Sequence, residues 1–248
     1  MSRITRREWL IPVILLLMFG IKGAGFDNQT THPKLTRAAI DLYNQDHPSS
    51  EITGQRREWM VQGSIREDEP VVRCKNHFYD PSSGKGLGDG KYEYIPATPA
   101  PEWANSSSGQ SVSGYGGDYS WRRAVYSYQQ GEYERAFRSL GHVLHLLQDM
   151  GVPAHVRDDA HEQGDPFESW LAEHDHQLEV DLSRIKERSC SSNRECFRKL
   201  ALYTHNNFFS KDTIDLATPQ KEVQYLYRDK IRLIHWDKTN KKFVFDSK

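Results

Sequence analysis

A histidine, an aspartate and a second histidine stand close together in the segment LGHVLHLLQDMGVPAH, residues 140–155. His145 and Asp149 are four residues apart, and a helix with about 3.6 residues per turn places both side chains on one face. Pro153 ends the helical pattern, and His155 follows on the exit from the helix. Imidazole and carboxylate are ligand types of a hydrolytic zinc site. One His–Asp pair at this spacing, however, is more often a hydrogen-bonded pair than a metal site.

Other histidines and carboxylates occur before and after this segment. His32 lies in the run THPKLT, Asp68 in an acidic turn, and His77 in the run NHFYDP. His161 follows in a polar loop, and Glu168 lies in the first turn of the next predicted helix. Taken singly, each has an ordinary explanation as a helix-cap residue or a solvated loop residue. Their order along the chain is therefore more informative than any one of them.

This order resembles the zinc-dependent phospholipase C family, whose fold is shared with the single-strand-specific zinc nucleases. The strongest part of the resemblance is His145-x3-Asp149-x5-His155, preceded by Leu-Gly-His. The runs THPKLT and NHFYDP also look like elements of the family. The resemblance covers residues 26–209 and implies a mostly helical domain that holds up to three zinc ions in a cleft.

The resemblance also implies which residues bind the first two zinc ions. The first zinc would take four side chains: Asp68, His77, His145 and Asp149. The second would take His32, Asp149 and the amino nitrogen and carbonyl oxygen of the mature N-terminal residue, Phe26. Asp149 would then bridge the two ions. In the family the mature chain begins with Trp. Because the ligand atoms belong to the backbone, Phe26 would still serve as the N-terminal ligand.

The third zinc would take His155 with a later histidine and a carboxylate. In the family these last two residues are four apart on a helix, whereas the residue four positions before Glu168 is Gly164. We therefore expect His161 to reach in from the loop, with Asp165 as the alternative ligand. This departure from the family pattern makes the third site different from the other two.

Zinc at such a site would lower the pKa of water from ~15.7 to ~7 and stabilise negative charge on phosphate. Asp68, as the carboxylate beside the attacking water, would orient it or take its proton and is the predicted catalytic residue. This chemistry is phosphate-ester hydrolysis.

The composition limits the other classes of function. The chain has 248 residues, enough for one sizeable domain, and a formal net charge of −1. A chain without net basic charge is not expected to bind duplex nucleic acid. No repeat and no interdomain linker is visible, so residues 26–248 are predicted to form one phospholipase C-like domain.

The first 25 residues have the pattern of a signal peptide. Arg3, Arg6 and Arg7 precede an apolar run at residues 9–21, and small residues follow at 23–25. The run is short for a membrane span, which favours a cleaved signal, although an uncleaved N-terminal anchor remains the alternative. The mature protein is therefore expected to be secreted or periplasmic. Cys190 and Cys196 could pair in such a compartment, leaving Cys74 unpaired.

Hydrophobic periodicity predicts a mostly α protein. The predicted helices are residues 34–43, 56–62, 121–130, 133–150, 167–185 and 197–209. The second of these is expected to end at Gly63. Residues 82–117 are rich in Gly, Ser and Pro and are predicted to form a long surface loop, with at most a short element at 91–95. The tail after residue 220 is predicted to form a small β-hairpin.

Three functions are compatible with these features. The first is a secreted zinc-dependent phosphodiester hydrolase of phospholipase C type, acting on a phospholipid or another phosphodiester and contacting a membrane surface. The second is a single-strand nuclease on the same scaffold, for which aromatic residues of the 82–121 region would have to stack on a base. The third is an inactive metal-binding protein, which the missing histidine four residues before Glu168 favours.

Overall fold

The computed structural model describes residues 29–88, 97–161, 165–174 and 190–210, together with the backbone of three strands near the C-terminus. The signal-peptide prediction and Phe26 lie outside the described residues. Most of the described chain is helical, which confirms the predicted fold class. The helices are α1 Thr31–Asp46, α2 Gly54–Arg66, α3 Ala100–Trp103, α4 Ser107–Gln110, α5 Trp121–Gln129, α6 Tyr133–Asp149, α7 Pro166–Glu173 and α8 Asn193–Asn207. Short 3-10 helices are formed at Val71–Asn76 and Ala154–Val156.

Helix α6 lies at the centre of the fold, packed against α1, α2 and α5. Its apolar face places Val143 and Leu146 in a core that also contains Trp103, Met150 and Phe197. Complete burial of one such side chain contributes about 1.5–3 kcal/mol. This packing fixes the direction in which the polar face of α6, with His145 and Asp149, points.

Helices α2 and α6 cross at two glycines. A Cβ atom on Gly63 would lie 2.1 Å from the carbonyl oxygen of Arg138, and one on Gly141 would lie 2.0 Å from that of Met60. The prediction that the helix ends at Gly63 was therefore wrong, since α2 continues to Arg66. Gly63 serves the close approach of two helix backbones rather than a helix end.

The prediction of a long surface loop at residues 82–117 was also wrong. The segment forms α3 and α4, and the Trp103 side chain is only 1% exposed in the core. Proline in the first turn of α3 and the Ser106 hydroxyl, which accepts from the Gly109 N–H at the start of α4, begin these helices. The element expected at 91–95 lies within residues 89–96, outside the described residues.

The other predicted helices are found with shifted ends. Helix α1 begins three residues before the predicted start, with Pro33 in its first turn. Helix α8 begins at Asn193, where the Ser192 hydroxyl accepts from the Glu195 N–H. Helix α7 is described as far as Glu173, and residues 175–189 lie outside the described residues. Cys190 and Cys196, beside the start of α8, form a disulfide.

The C-terminal strands extend the predicted hairpin to three strands. β1 Val223–Tyr227 pairs with β2 Lys230–Asp237, and β2 pairs with β3 Lys242–Phe245, both antiparallel. Residues 238–241, between β2 and β3, lie outside the described residues. Among the described residues, none of the helices is both long and apolar enough to span a bilayer.

Candidate metal centre

The structure brings all the described members of the predicted ligand set into three groups. In each group the nitrogen and carboxylate oxygen atoms lie within 4.8 Å of one another. The groups are His32 with His145 and Asp149, Asp68 with His77 and His145, and His155 with His161 and Glu168. Residues from α1, α6, α7, the 3-10 helix Ala154–Val156 and the connecting segments thus converge around the end of α6.

The Asp149 carboxylate joins the first two groups. Its Oδ1 lies 3.4 Å from His32 Nε2, and its Oδ2 lies 3.0 Å from His77 Nδ1 and 3.5 Å from His145 Nε2. His145 is one helical turn earlier on α6, as the spacing predicted. The two oxygens therefore face different histidines, which is the arrangement expected of a bridging ligand.

Asp68, just beyond the end of α2, is more exposed than the rest of its group. Its side chain is 14% exposed, whereas those of His77 and His145 are at most 1% exposed. Its Oδ1 lies 3.5 Å from His77 Nδ1 and 3.6 Å from His145 Nε2. Asp68 is thus the residue of its group that a substrate or water from solvent would meet first.

The third group is built from the 3-10 helix Ala154–Val156, a loop and the first turn of α7. His155 Nε2 lies 3.6 Å from Glu168 Oε1, and His161 Nε2 lies 3.6 Å from Glu168 Oε2. His161 reaches in with a φ of 35°, held by hydrogen bonds to Asp159. The alternative, Asp165, instead caps α7, since its Oδ1 accepts from the N–H groups of Phe167 and Glu168.

Four of the five histidines present the same ring nitrogen to the centre. In each, Nδ1 is hydrogen-bonded to an oxygen of the protein, so Nδ1 carries the proton and Nε2 is left as a ligand atom. The partners are Gln148 Oε1 for His32 (2.6 Å), the Ser64 carbonyl for His145 (2.6 Å), the His77 carbonyl for His155 (3.1 Å) and the Asp159 carbonyl for His161 (2.7 Å). The Ser64 carbonyl is next to Gly63, so the glycine crossing positions it.

His77 is oriented the other way round. Its Nδ1 faces Asp149 and Asp68, while its Nε2 lies 3.7 Å from Glu67 Oε1. Glu67 is completely buried, although the sequence led us to expect a solvated acidic turn. No spacing signal distinguishes Glu67 from Asp68 and Glu69 beside it, because all three belong to one acidic run.

The pKa values of the cluster reflect burial and crowded charge. Burial lowers the pKa values of His145 and His155 to about 4, with neighbouring histidines adding to the effect. Burial would also lower the pKa of His77, but Asp149 and Glu67 raise it to about 10. Burial and the neighbouring carboxylates Asp165 and Asp149 raise the pKa of Glu168 to about 10.

Several ligand atoms make no hydrogen bond within the described chain. They include His145 Nε2, both carboxylate oxygens of Asp149 and both of Glu168, all buried. Burying such groups unsatisfied is costly, and a cation between them would offset that cost. Imidazole nitrogens mixed with carboxylate oxygens are the donor set that zinc prefers, so the residues present fit the expected metal.

Comparison with known proteins gives a structural likeness. No family model matches the chain, and no curated protein matches it either. Among solved structures, the alpha toxin from Clostridium absonum is similar, with a TM-score of 0.54 and 17% sequence identity. The match covers 74% of this chain and 55% of the toxin's chain, so this chain corresponds to about half of the toxin. At this identity the likeness shows a shared fold, and that fold agrees with the one that the sequence resemblance implied.

Proposed function

We propose that the chain is a zinc-dependent phosphodiester hydrolase of phospholipase C type. The observation that carries this proposal is the bridging position of Asp149, whose two oxygens face His32 on one side and His77 and His145 on the other. A structural zinc is normally enclosed by four protein ligands. Two adjoining groups that share a carboxylate, with Asp68 towards solvent, are instead typical of a hydrolytic centre.

The residues of the chain would divide the work as follows. Asp149 and the histidines would hold up to three zinc ions, which when bound supply a low-pKa water and neutralise charge on phosphate. Asp68 would orient the attacking water through its carboxylate or accept its proton. Glu168, with His155 and His161, would hold the third ion. Phe26 would add the N-terminal ligand atoms once the signal peptide is removed.

A phospholipid is favoured over single-stranded nucleic acid as the substrate. A base-binding slot would need exposed aromatic rings, yet Trp103 is buried and packs edge-on against Tyr115, with ring centroids 4.8 Å apart. These two residues of the 82–121 region are therefore used in the core. Among the described aromatic residues of this region, Trp121 at the start of α5 is the exposed one, so a stacking platform there would rest on a single ring. The net charge of −1 also gives little attraction for a polyanion.

Secretion and contact with a membrane surface are part of the proposal. The disulfide between Cys190 and Cys196 supports an oxidising compartment. A phospholipid substrate would bring the protein to a membrane.

The test is to compare hydrolysis of two substrates by the metal-loaded mature protein. We expect release of phosphocholine from lecithin vesicles, abolished by a chelator and restored by zinc, with much less nicking of single-stranded DNA. The reverse preference would establish the nuclease. Neither activity, together with about one zinc per chain or none, would favour the inactive metal-binding protein.

A further inference from the structure

A buried carboxylate, Glu67, lies behind His77 on the side away from the metal centre. We propose that Glu67 is a positioning residue, which holds the His77 ring so that Nδ1 rather than Nε2 binds the metal. This inference rests on the proposed function, because it assumes that His77 is a metal ligand. It assigns a role to a residue outside the predicted ligand set.

The Glu67 carboxylate is fixed from several directions. Its Oε2 accepts hydrogen bonds from Arg73 at 2.7 Å and from His142 Nδ1 at 2.5 Å, and its Oε1 accepts from the Trp103 indole at 2.9 Å. The side chains of Glu67 and Arg73 are both completely buried. Oε1 is also the oxygen that faces His77 Nε2, at 3.7 Å.

The partners of Glu67 are themselves fixed. Arg73 donates to the Tyr115 carbonyl at 2.8 Å and to Gln110 Oε1 at 3.1 Å, while Gln110 donates to the Trp103 carbonyl at 2.7 Å. A carboxylate held in this way cannot turn to follow the imidazole. The ring of His77 must therefore adapt to Glu67, and not the reverse.

His77 differs from the other four histidines in the charge of its partner. They donate to neutral carbonyl or amide oxygens, whereas the acceptor behind His77 is an anion. An anionic partner raises the basicity of a metal-binding imidazole and fixes its tautomer. The 3.7 Å separation is longer than a hydrogen bond. We expect it to shorten once a cation replaces the contact between His77 and Asp149.

The experiment compares Co²⁺ binding by the full mature protein and two variants. Glu67→Gln keeps the shape but removes the charge, and Glu67→Asp keeps the charge but withdraws it by one methylene. Replacement of such a partner typically weakens metal binding about 10–100-fold. We expect a loss of this size in both variants, with a changed visible spectrum of the first bound Co²⁺.

The matched control is Asp118→Asn. Asp118 is also a buried carboxylate paired with an arginine, Arg123, but it contacts none of the proposed ligands. This control should lose stability yet keep Co²⁺ affinity within about threefold. Wild-type affinity and spectrum in a folded Glu67 variant would overturn the positioning role. Absence of Co²⁺ binding by the wild-type protein would overturn the proposed function itself.

A third measurement does not depend on how well the variants fold. In wild-type protein loaded with zinc, ¹⁵N NMR of histidine should show the His77 proton on Nε2, whereas the other four ligands should carry theirs on Nδ1. A proton on Nδ1 of zinc-loaded His77 would show that Glu67 does not orient the ring.

Discussion

The two ends of the candidate metal centre are built in different ways. His145 and Asp149 lie on α6, which is packed into the core and crosses α2 at Gly63 and Gly141. The third group instead depends on His161, a loop residue with positive φ, and on Glu168 in the first turn of α7. A site on packed helices is held more precisely than one on loops.

This difference has a functional consequence. The end built on α6 is held by helix packing that does not depend on metal, so we expect its ligands to decide which metal is bound. The loop end can adjust, because moving His161 requires no change in a helix. We therefore expect damage at the α6 end to abolish the centre, and damage at the loop end to weaken it.

The largest expected effect follows replacement of the bridging carboxylate. Asp149→Asn removes the charge that both of the first two groups share, so hydrolytic activity should fall by at least about a thousandfold. Zinc content should fall by about two ions per chain. Bound zinc is measured by atomic absorption and activity by substrate hydrolysis. If both stayed near wild type, Asp149 would not be the bridging ligand.

The second prediction concerns the helix crossing that makes the α6 end rigid. Gly141→Ala forces a methyl group towards the Met60 carbonyl, which is backbone and cannot turn away. Overpacking in a core typically costs about 1–3 kcal/mol, and this contact should reach at least the upper end. Chemical denaturation of the metal-free protein measures it.

Gly88→Ala is the control for the crossing, since the nearest atom to its added Cβ would be 3.8 Å away. Its free energy of unfolding should change by less than about 0.5 kcal/mol. Equal effects of the two substitutions would show that the glycine crossing does not hold the helices in place.

Sequence patterns could reveal the α6 end but not its supports. The spacing of His145 and Asp149 follows directly from helix geometry, and the order of the other ligands follows from the family resemblance. Glu67 could not be identified, because its burial depends on Arg73 and Trp103 closing over it. Gly63 was misread as a helix end, because a glycine at a helix crossing has the same local sequence signal as one at a terminus.

The loop end shows a different limit of sequence reasoning. His161 lies seven residues before Glu168, and on a regular helix that spacing would separate the two residues by about 10.5 Å, too far to share an ion. The loop geometry that brings them close depends on positive φ at Asp158 and His161, which the sequence does not predict for these residues. The Gly, Ser and Pro content of residues 82–117 likewise concealed the burial of Trp103.

The third prediction tests which residue completes the loop end. His161→Ala should remove about one zinc per chain and reduce activity about 10–100-fold, less than Asp149→Asn does. Asp165→Ser keeps a good N-cap residue but removes the carboxylate, so it should retain that zinc. Loss of zinc in Asp165→Ser and not in His161→Ala would exchange the roles of these two residues.

The last prediction concerns the pH dependence of zinc affinity, to which both ends of the centre are expected to contribute. Burial and neighbouring carboxylates raise the pKa of Glu168 to about 10, and Asp149 and Glu67, acting against burial, raise that of His77 to about 10. Both groups therefore hold a proton at neutral pH in the metal-free protein. Zinc bound at both ends would have to displace these protons, and each one displaced would make zinc affinity rise about tenfold per pH unit.

Zinc affinity is expected to rise with pH, whereas the contribution of these groups to the stability of the metal-free protein falls with pH. Both pKa values are raised, so the stability that these groups contribute is complete below their unfolded values of 4.5 and 6.5 and is lost as pH rises towards about 10. Calorimetry in two buffers of different ionisation enthalpy measures the protons released on zinc binding. We expect about two from the wild type and about one from Glu168→Gln. An unchanged count in that variant would mean that both protons come from the α6 end, and that the loop end binds zinc without Glu168.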